Sequence, residues 1–219
     1  MTPALQAPPS ERRTNGRIPP PPPHHGGDDD DDRDHGRRFD NLRLAVLVFI
    51  GAEAMFFGAL ISALLVLRLG MAAWPPPLEP RLPIAVTGAN TLVLLASSVT
   101  LRAASRARRR ADDREQARWL GATAALGALF LVIQGYEWVR LIGYGLSLAS
   151  GIYGTTFFAL IGFHGLHVVA ALIWLLVTTL LVARHRFQPG HSAGVQACAM
   201  YWHFVVGVWP VLYLTVYLL

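Results

Sequence analysis

The chain lacks lysine entirely, so all 19 of its Lys and Arg residues are arginines. Charge is also scarce: 15% of the residues are charged and 53% are hydrophobic, against about 25% charged in typical soluble domains. Cysteine occurs once, at Cys198, which excludes an intrachain disulfide and a thiolate cluster for zinc or iron–sulfur. We interpret Cys198 as a small apolar residue of a membrane span. This composition indicates an integral membrane protein.

Five hydrophobic segments are long enough to cross a bilayer. A span needs about 20 apolar residues, because a hydrocarbon core of about 30 Å is crossed at 1.5 Å per residue. Helices are expected, since lipid offers no hydrogen-bond partner to a free backbone N–H or C=O. The segments are approximately 42–69, 83–104, 117–141, 153–183 and 194–219. The predicted fold is therefore an all-α polytopic membrane protein, with a five-helix transmembrane domain over residues 41–219.

Residues 1–40 have a different composition, with Pro19–Pro23, two adjacent histidines and Asp28–Asp32. A segment this rich in proline, glycine and charge buries too little apolar surface to fold, so we predict a disordered tail. The distribution of the arginines predicts on which side of the membrane this tail lies. Seven of them lie in the segment 102–118 between the second and third spans. The positive-inside rule then predicts a cytoplasmic N-terminus and a C-terminus on the outer side.

Polar side chains inside the spans require an explanation, because a charge at the bilayer centre costs about 2.5–3.5 kcal/mol. Counting along the helices places four of them, from three spans, in one depth band. Gln134 and Glu137 lie nearer the outer end of the third span, and their spacing turns both to one helix face. The four groups of the depth band are Glu53, His164, His167 and His203.

These four groups leave two interpretations open. A metal centre needs three or four donors, and a bis-histidine haem needs one histidine from each of two helices. Interhelical hydrogen bonding is the default for buried polar groups in membranes, and Gly162 and Gly165 favour it by allowing close helix approach. For Glu53, a structural hydrogen-bonded carboxyl and a proton-handling or lipid-contacting group are both consistent with its position.

Six short motifs recur in order, one or more per span. They are Glu53-Ala-Met-Phe-Phe57, Asn90-Thr91 with Ser97-Ser98-Val-Thr100, Gln134-Gly-Tyr-Glu137-Trp138, Tyr153-Gly-Thr-Thr-Phe-Phe158, Gly162-Phe-His-Gly-Leu-His-Val168, and Tyr201-Trp-His-Phe204 followed by Trp209. With these motifs, the chain from about Leu42 onward resembles subunit III of haem-copper terminal oxidases of the cytochrome c oxidase type. It resembles the short five-helix form, which lacks the first two helices of the larger members.

The resemblance implies a non-redox accessory subunit of a proton-pumping oxygen reductase in the aerobic respiratory chain. It implies no catalytic residue and no haem, metal or other cofactor bound by this chain, since haem and copper belong to subunits I and II. The implied partners are subunits I and II and membrane lipids, including a structural phospholipid, with no nucleic acid. The implied location is the bacterial inner (plasma) membrane. The implied role is to stabilise subunit I, sustain its proton uptake and limit inactivation during turnover.

By the same resemblance, Glu53 occupies the position of a carbodiimide-reactive glutamate near a lipid cleft. The remaining polar site residues are expected to hold the helices together. These are Gln134, Glu137, His164, His167, Trp202 and His203. One position departs from the family pattern, because Val206 stands where many relatives carry aspartate.

Three questions stay open at this level. Quinol oxidases and nitric-oxide-reductase-associated complexes have related third subunits, so the electron donor is not fixed. Membership of a respiratory supercomplex is not fixed either. A haem-binding membrane cytochrome b is the alternative from a different functional class, and it predicts haem in the isolated chain.

Overall fold

The computed structural model describes residues 28–71, 74, 82–147, 150–184 and 192–219, with side chains from residue 41 onward in these ranges, apart from residues 192–193. Five long helices follow one another along the chain, and a short π-helical turn, Leu214–Leu218, comes after the last one. The helices are α1 (Asp28–Leu69), α2 (Ile84–Arg109), α3 (Asp113–Gly143), α4 (Gly151–Ala183) and α5 (Ser192–Tyr213). Each contributes a segment long and apolar enough to cross a membrane. The predicted all-α fold with five membrane-spanning helices is confirmed.

The first helix is longer than the sequence predicts. It begins at Asp28, so residues 28–40 are helical where we predicted part of a disordered tail. No proline interrupts this segment, and aspartates in the first turns interact favourably with the positive end of the helix dipole. Residues 1–27 lie outside the described residues, so the prediction for them stays a prediction.

A tight connection joins α2 to α3. Only residues 110–112 separate the two helices, and Ala111 adopts a positive φ of 56° to make the turn. Asp112 then caps α3, because its carboxyl oxygen accepts a hydrogen bond from the backbone N–H of Glu115 at 2.9 Å. A connection this short forces neighbouring antiparallel helices. The two helices accordingly pack against each other along their length.

The core of the bundle lies around α5. This helix contacts α1, α2 and α4, while α3 lies between α2 and α4. Large aromatic side chains fill the space between the helices. Each is at most 2% exposed: Trp202, Trp209, Phe130 and Phe157. Cys198 is also buried on α5, as expected for a small apolar residue. The packing of α5 places the polar side chains described next between helices.

Candidate functional site

Glu53 of α1 and His167 of α4 form a close pair. Glu53 Oε2 lies 2.8 Å from His167 Nε2, and the other ring nitrogen, Nδ1, lies 2.6 Å from the carbonyl oxygen of Phe163. A carbonyl oxygen only accepts, so Nδ1 carries a hydrogen. Nε2 and the carboxyl therefore share one proton, either as neutral histidine with a carboxylic acid or as imidazolium with carboxylate. The pair is neutral overall in both forms, which lowers the cost of placing it inside a membrane.

Aromatic rings surround this pair. The Phe57 ring lies 5.1 Å from the His167 ring and 6.2 Å from the His164 ring, edge-on to both. The two side chains of the pair keep 16% and 17% of their surface exposed. Among the described residues, Glu53 Oε2 has no hydrogen-bond partner beyond its contact with His167. The carboxyl is thus sheltered by aromatic rings yet still reachable from outside the bundle.

The second histidine of α4 points to a different neighbour. His164 is 1% exposed, and its ring stacks on Trp209 of α5 with centroids 5.0 Å apart and planes 29° from parallel. Neither ring nitrogen has a hydrogen-bond partner among the described residues. His164 and His167 therefore share contact with Phe57 but serve two different helix interfaces.

The four groups of the predicted depth band do not form one site. His203 Nδ1 lies 3.2 Å from the hydroxyl of Ser98 on α2, while the pair on α1 and α4 and the stacked His164 are engaged elsewhere. No three His, Cys, Asp or Glu residues come close enough to hold a metal ion anywhere in the described part of the chain. Interhelical packing is the interpretation that the geometry favours.

Two tryptophans of α5 hydrogen-bond to α2. Trp202 Nε1 donates to the Ser97 hydroxyl at 3.1 Å, and Trp209 Nε1 donates to the Thr91 hydroxyl at 2.9 Å. The tryptophans are seven residues apart, about two helical turns, so both face α2. Trp202 is one of the polar residues expected from the sequence to hold the helices together, whereas no role is predicted for Trp209. That seven-residue spacing was the signal that could have identified it.

Gln134 and Glu137 of α3 are both buried, as expected if they share one helix face. Their side chains have different partners. Gln134 Nε2 donates to the Tyr217 hydroxyl at 3.2 Å. Glu137 is 4% exposed and pairs with Arg140 on its own helix, at 3.2 Å. One residue therefore links α3 to the end of the chain, and the other is neutralised within one helical turn.

Known proteins match most of this chain. The family model for cytochrome c oxidase subunit III matches residues 34–219. A cytochrome c oxidase subunit 3 of Synechocystis sp. is 39% identical over 179 residues, which cover 80% of this chain and 74% of the relative. That of Thermostichus vulcanus is 36% identical over 192 residues, 85% of this chain and 92% of the relative. That of Corynebacterium diphtheriae is 33% identical over 177 residues, 80% of this chain and 86% of the relative.

Proposed function

The chain belongs to the cytochrome c oxidase subunit III family, and we propose that it is the non-catalytic accessory subunit III of a haem-copper oxygen reductase. Membership of an oxidase complex follows from the family. The observation that carries the accessory role is the arrangement of the motif residues. Histidines, tryptophans and the membrane carboxyl engage neighbouring helices or rings instead of converging on a reactive centre.

The proposed role is to stabilise subunit I and to sustain its proton uptake. Haem and copper, held by subunits I and II, supply the redox chemistry of oxygen reduction, and this chain contributes none. The support for proton uptake is the Glu53–His167 pair, which holds one exchangeable proton within a membrane span and remains partly exposed. Cytochrome c is the proposed electron donor of the complex, because the relatives carry that name.

The proposed location is the bacterial inner (plasma) membrane. Five spans starting from a cytoplasmic N-terminus place the C-terminus on the outer side, and the arginines between α2 and α3 support this orientation. Membrane lipids, including a structural phospholipid, are the proposed non-protein partners. A cysteine-free variant with single cysteines introduced at residue 111 or residue 145 would test the orientation. A membrane-impermeant maleimide added to intact cells is expected to label residue 145 only.

Purification of the complex tests the accessory role directly. The chain is tagged, extracted in mild detergent, and analysed by a reduced-minus-oxidised visible spectrum together with identification of each co-purifying polypeptide. We expect haem to travel with a larger multi-span partner and to be missing from this chain when it is isolated alone. Haem retained by the isolated chain would contradict the proposal and favour a membrane cytochrome b.

The Glu53 carboxyl has a separate test. A carbodiimide reacts with a carboxyl group, so the hydrophobic reagent dicyclohexylcarbodiimide should label the wild-type chain within α1, where Glu53 is partly exposed. Glu53→Gln should abolish this labelling while the complex still assembles, because glutamine keeps the shape of the side chain. Glu137→Gln is the matched control, since that carboxyl is 4% exposed and paired with Arg140. Unchanged labelling of Glu53→Gln would show that another residue reacts.

A further inference from the structure

A pocket at one end of the bundle is lined by arginines from two helices. Its volume is about 300 Å³, which lies at the lower end of the range for small-molecule sites in proteins. Arg43 comes from α1, Arg108 and Arg109 are the last two residues of α2, and residues of α5 form the remaining wall. The pocket therefore brings together positive charges that are far apart in the sequence.

The rest of the lining adds hydrogen-bonding groups and no negative charge. Ser105 of α2, and Gln196 and His203 of α5, line the pocket beside apolar residues of α5. These three polar side chains are only partly buried, and much of the accessible surface of the pocket is polar. None of the described residues that line it is acidic. The pocket thus presents accessible polar groups with charge of one sign, as the binding of an anion requires.

The arginines of this pocket leave positive charge that is not neutralised by a carboxylate. Neither Arg43 nor Arg109 has an ion pair with another described residue. Guanidinium groups stay charged at physiological pH, and like charges that lie together repel each other. A multivalent anion among them removes this repulsion. It also accepts charge-assisted hydrogen bonds, which the planar guanidinium donates in pairs to phosphate.

Membrane topology alone does not explain this arrangement. The positive-inside rule requires basic residues between the second and third spans, but it does not require them to face one pocket. Arg102, Arg106 and Arg110 meet that requirement, since they are exposed and do not line the pocket. Arg43 lies on another helix and still contributes to the same lining. This convergence from two helices is what indicates a ligand.

The charge of the pocket favours linked phosphate groups over a single phosphodiester. The phosphodiester of a lipid headgroup carries a single negative charge, whereas each further phosphate group linked to a phosphate adds at least one more. Three guanidinium groups line the pocket. They are therefore matched better by an anion with two or more phosphate groups than by one headgroup.

We propose that this pocket binds a soluble anion with two or more linked phosphate groups, the chemistry that inorganic pyrophosphate and nucleoside polyphosphates share. Arg43 and Arg109 donate hydrogen bonds to its phosphate oxygens from α1 and α2, and Ser105 and Gln196 supply further donors. The inference rests on the proposed function in one respect. The orientation proposed for the chain opens the pocket to the cytoplasm, where such anions are found.

Variants that each remove one charge test whether the arginines act together. Arg43→Gln and Arg109→Gln each remove one positive charge from the pocket. Arg106→Gln is the matched control, because it removes the same charge from an exposed position of α2 without altering the lining. A diffuse surface potential is weakened equally by all three substitutions. A pocket with a bound anion distinguishes the first two from the third.

Binding is measured on the intact oxidase complex in non-ionic detergent at low salt. Equilibrium dialysis with radiolabelled pyrophosphate is used, and EDTA keeps the anion free of Mg²⁺. We expect one saturable site per chain in wild type and in Arg106→Gln. In Arg43→Gln and Arg109→Gln we expect the dissociation constant to rise about tenfold to a hundredfold, as the loss of one charged hydrogen bond predicts.

Competition identifies the source of the phosphate groups. Displacement of pyrophosphate by unlabelled ADP supports the proposal and assigns the pocket to nucleotides. Failure of ADP to displace it supports the proposal with the inorganic anion as the ligand. Displacement by phosphatidylglycerol added in mixed micelles would overturn the proposal, because the site would then belong to a lipid headgroup.

The variants give two further outcomes that count against the pocket. The lack of a saturable pyrophosphate site in wild type would overturn the proposal, and so would equal weakening in all three variants. If Arg43→Gln fails to assemble, an unchanged dissociation constant in Arg109→Gln would overturn it instead. A wild-type preparation without a haem-containing partner would refute the proposed function, whereas pyrophosphate is counted per copy of this chain in either case.

Discussion

The contact between Gly127 and Trp202 leads to a prediction with a definite sign. Gly127 lies on α3 against the indole of α5, and a Cβ atom added there would lie 2.9 Å from Cζ2 of Trp202 and closer still to Cη2. Favourable carbon–carbon contacts occur at about 3.5–4.0 Å. Gly127→Ala must therefore displace either the indole or one of the two helices.

The indole has little room to move. Trp202 is 1% exposed, and its N–H is fixed by the hydrogen bond to Ser97. Overpacking of this kind costs about 1–3 kcal/mol, and tilting the ring away from Ser97 costs about 1 kcal/mol more. Alanine returns about 1 kcal/mol through its higher helix propensity. We expect the free energy of unfolding to fall by about 1–3 kcal/mol.

Gly121→Ala provides the comparison on the same helix. A Cβ atom at Gly121 meets no heavy atom within 4 Å, so only the helix propensity changes and stability should rise by up to about 1 kcal/mol. Both variants can be compared by titrating the purified chain in mixed micelles with sodium dodecyl sulfate and following tryptophan fluorescence. If Gly127→Ala is as stable as Gly121→Ala, the indole contact does not limit this position and the reasoning is refuted.

Two further predictions concern α5. A double-mutant cycle of Trp209→Phe and Thr91→Val, which removes the 2.9 Å hydrogen bond, should give a coupling of about 0.6 kcal/mol and at most about 1.7; additive effects in the same unfolding titration would contradict it. Val206→Asp should destabilise the chain by about 2.5–3.5 kcal/mol, because Val206 is 2% exposed within the apolar core. Val206→Thr is its uncharged control, and wild-type amounts of folded Val206→Asp in membranes would show that a partner for the acid exists.

The five spans could be predicted because the bilayer sets both the length and the apolar character of a helix. The start of α1 could not be predicted in this way, since residues 28–40 are polar and their helix continues beyond the apolar segment. Hydropathy measures where a helix can cross lipid. It does not report how far the same helix extends into water, which depends on capping and on the absence of proline.

The site residues could be selected from the sequence, but their partners could not. Depth along a helix follows from counting residues, so Glu53 and three histidines were correctly placed within spans. Their directions depend on the rotation of each helix about its axis. His164 and His167 are three residues apart and differ by about 60° in direction, which is enough to turn one ring to Trp209 of α5 and the other to Glu53 of α1.

The contact between His167 and Glu53 helps to explain how α1 is held in the bundle. Among the described elements this helix packs mainly against α4 and α5, and much of its apolar surface stays exposed, as at Met55 with 74%. Lipid is as apolar as these side chains, so burial of apolar surface gives no net drive for α1 to leave it. Its specific attachments include the Glu53–His167 pair and the edge-on contacts of the Phe57 ring. The rings of Phe49 and Phe56 add contacts to Tyr201 of α5 and Phe163 of α4. The Glu53 carboxyl is therefore one of the main attachments of its helix, and this structural role is compatible, in the same contact, with the proton-handling role that we propose for it.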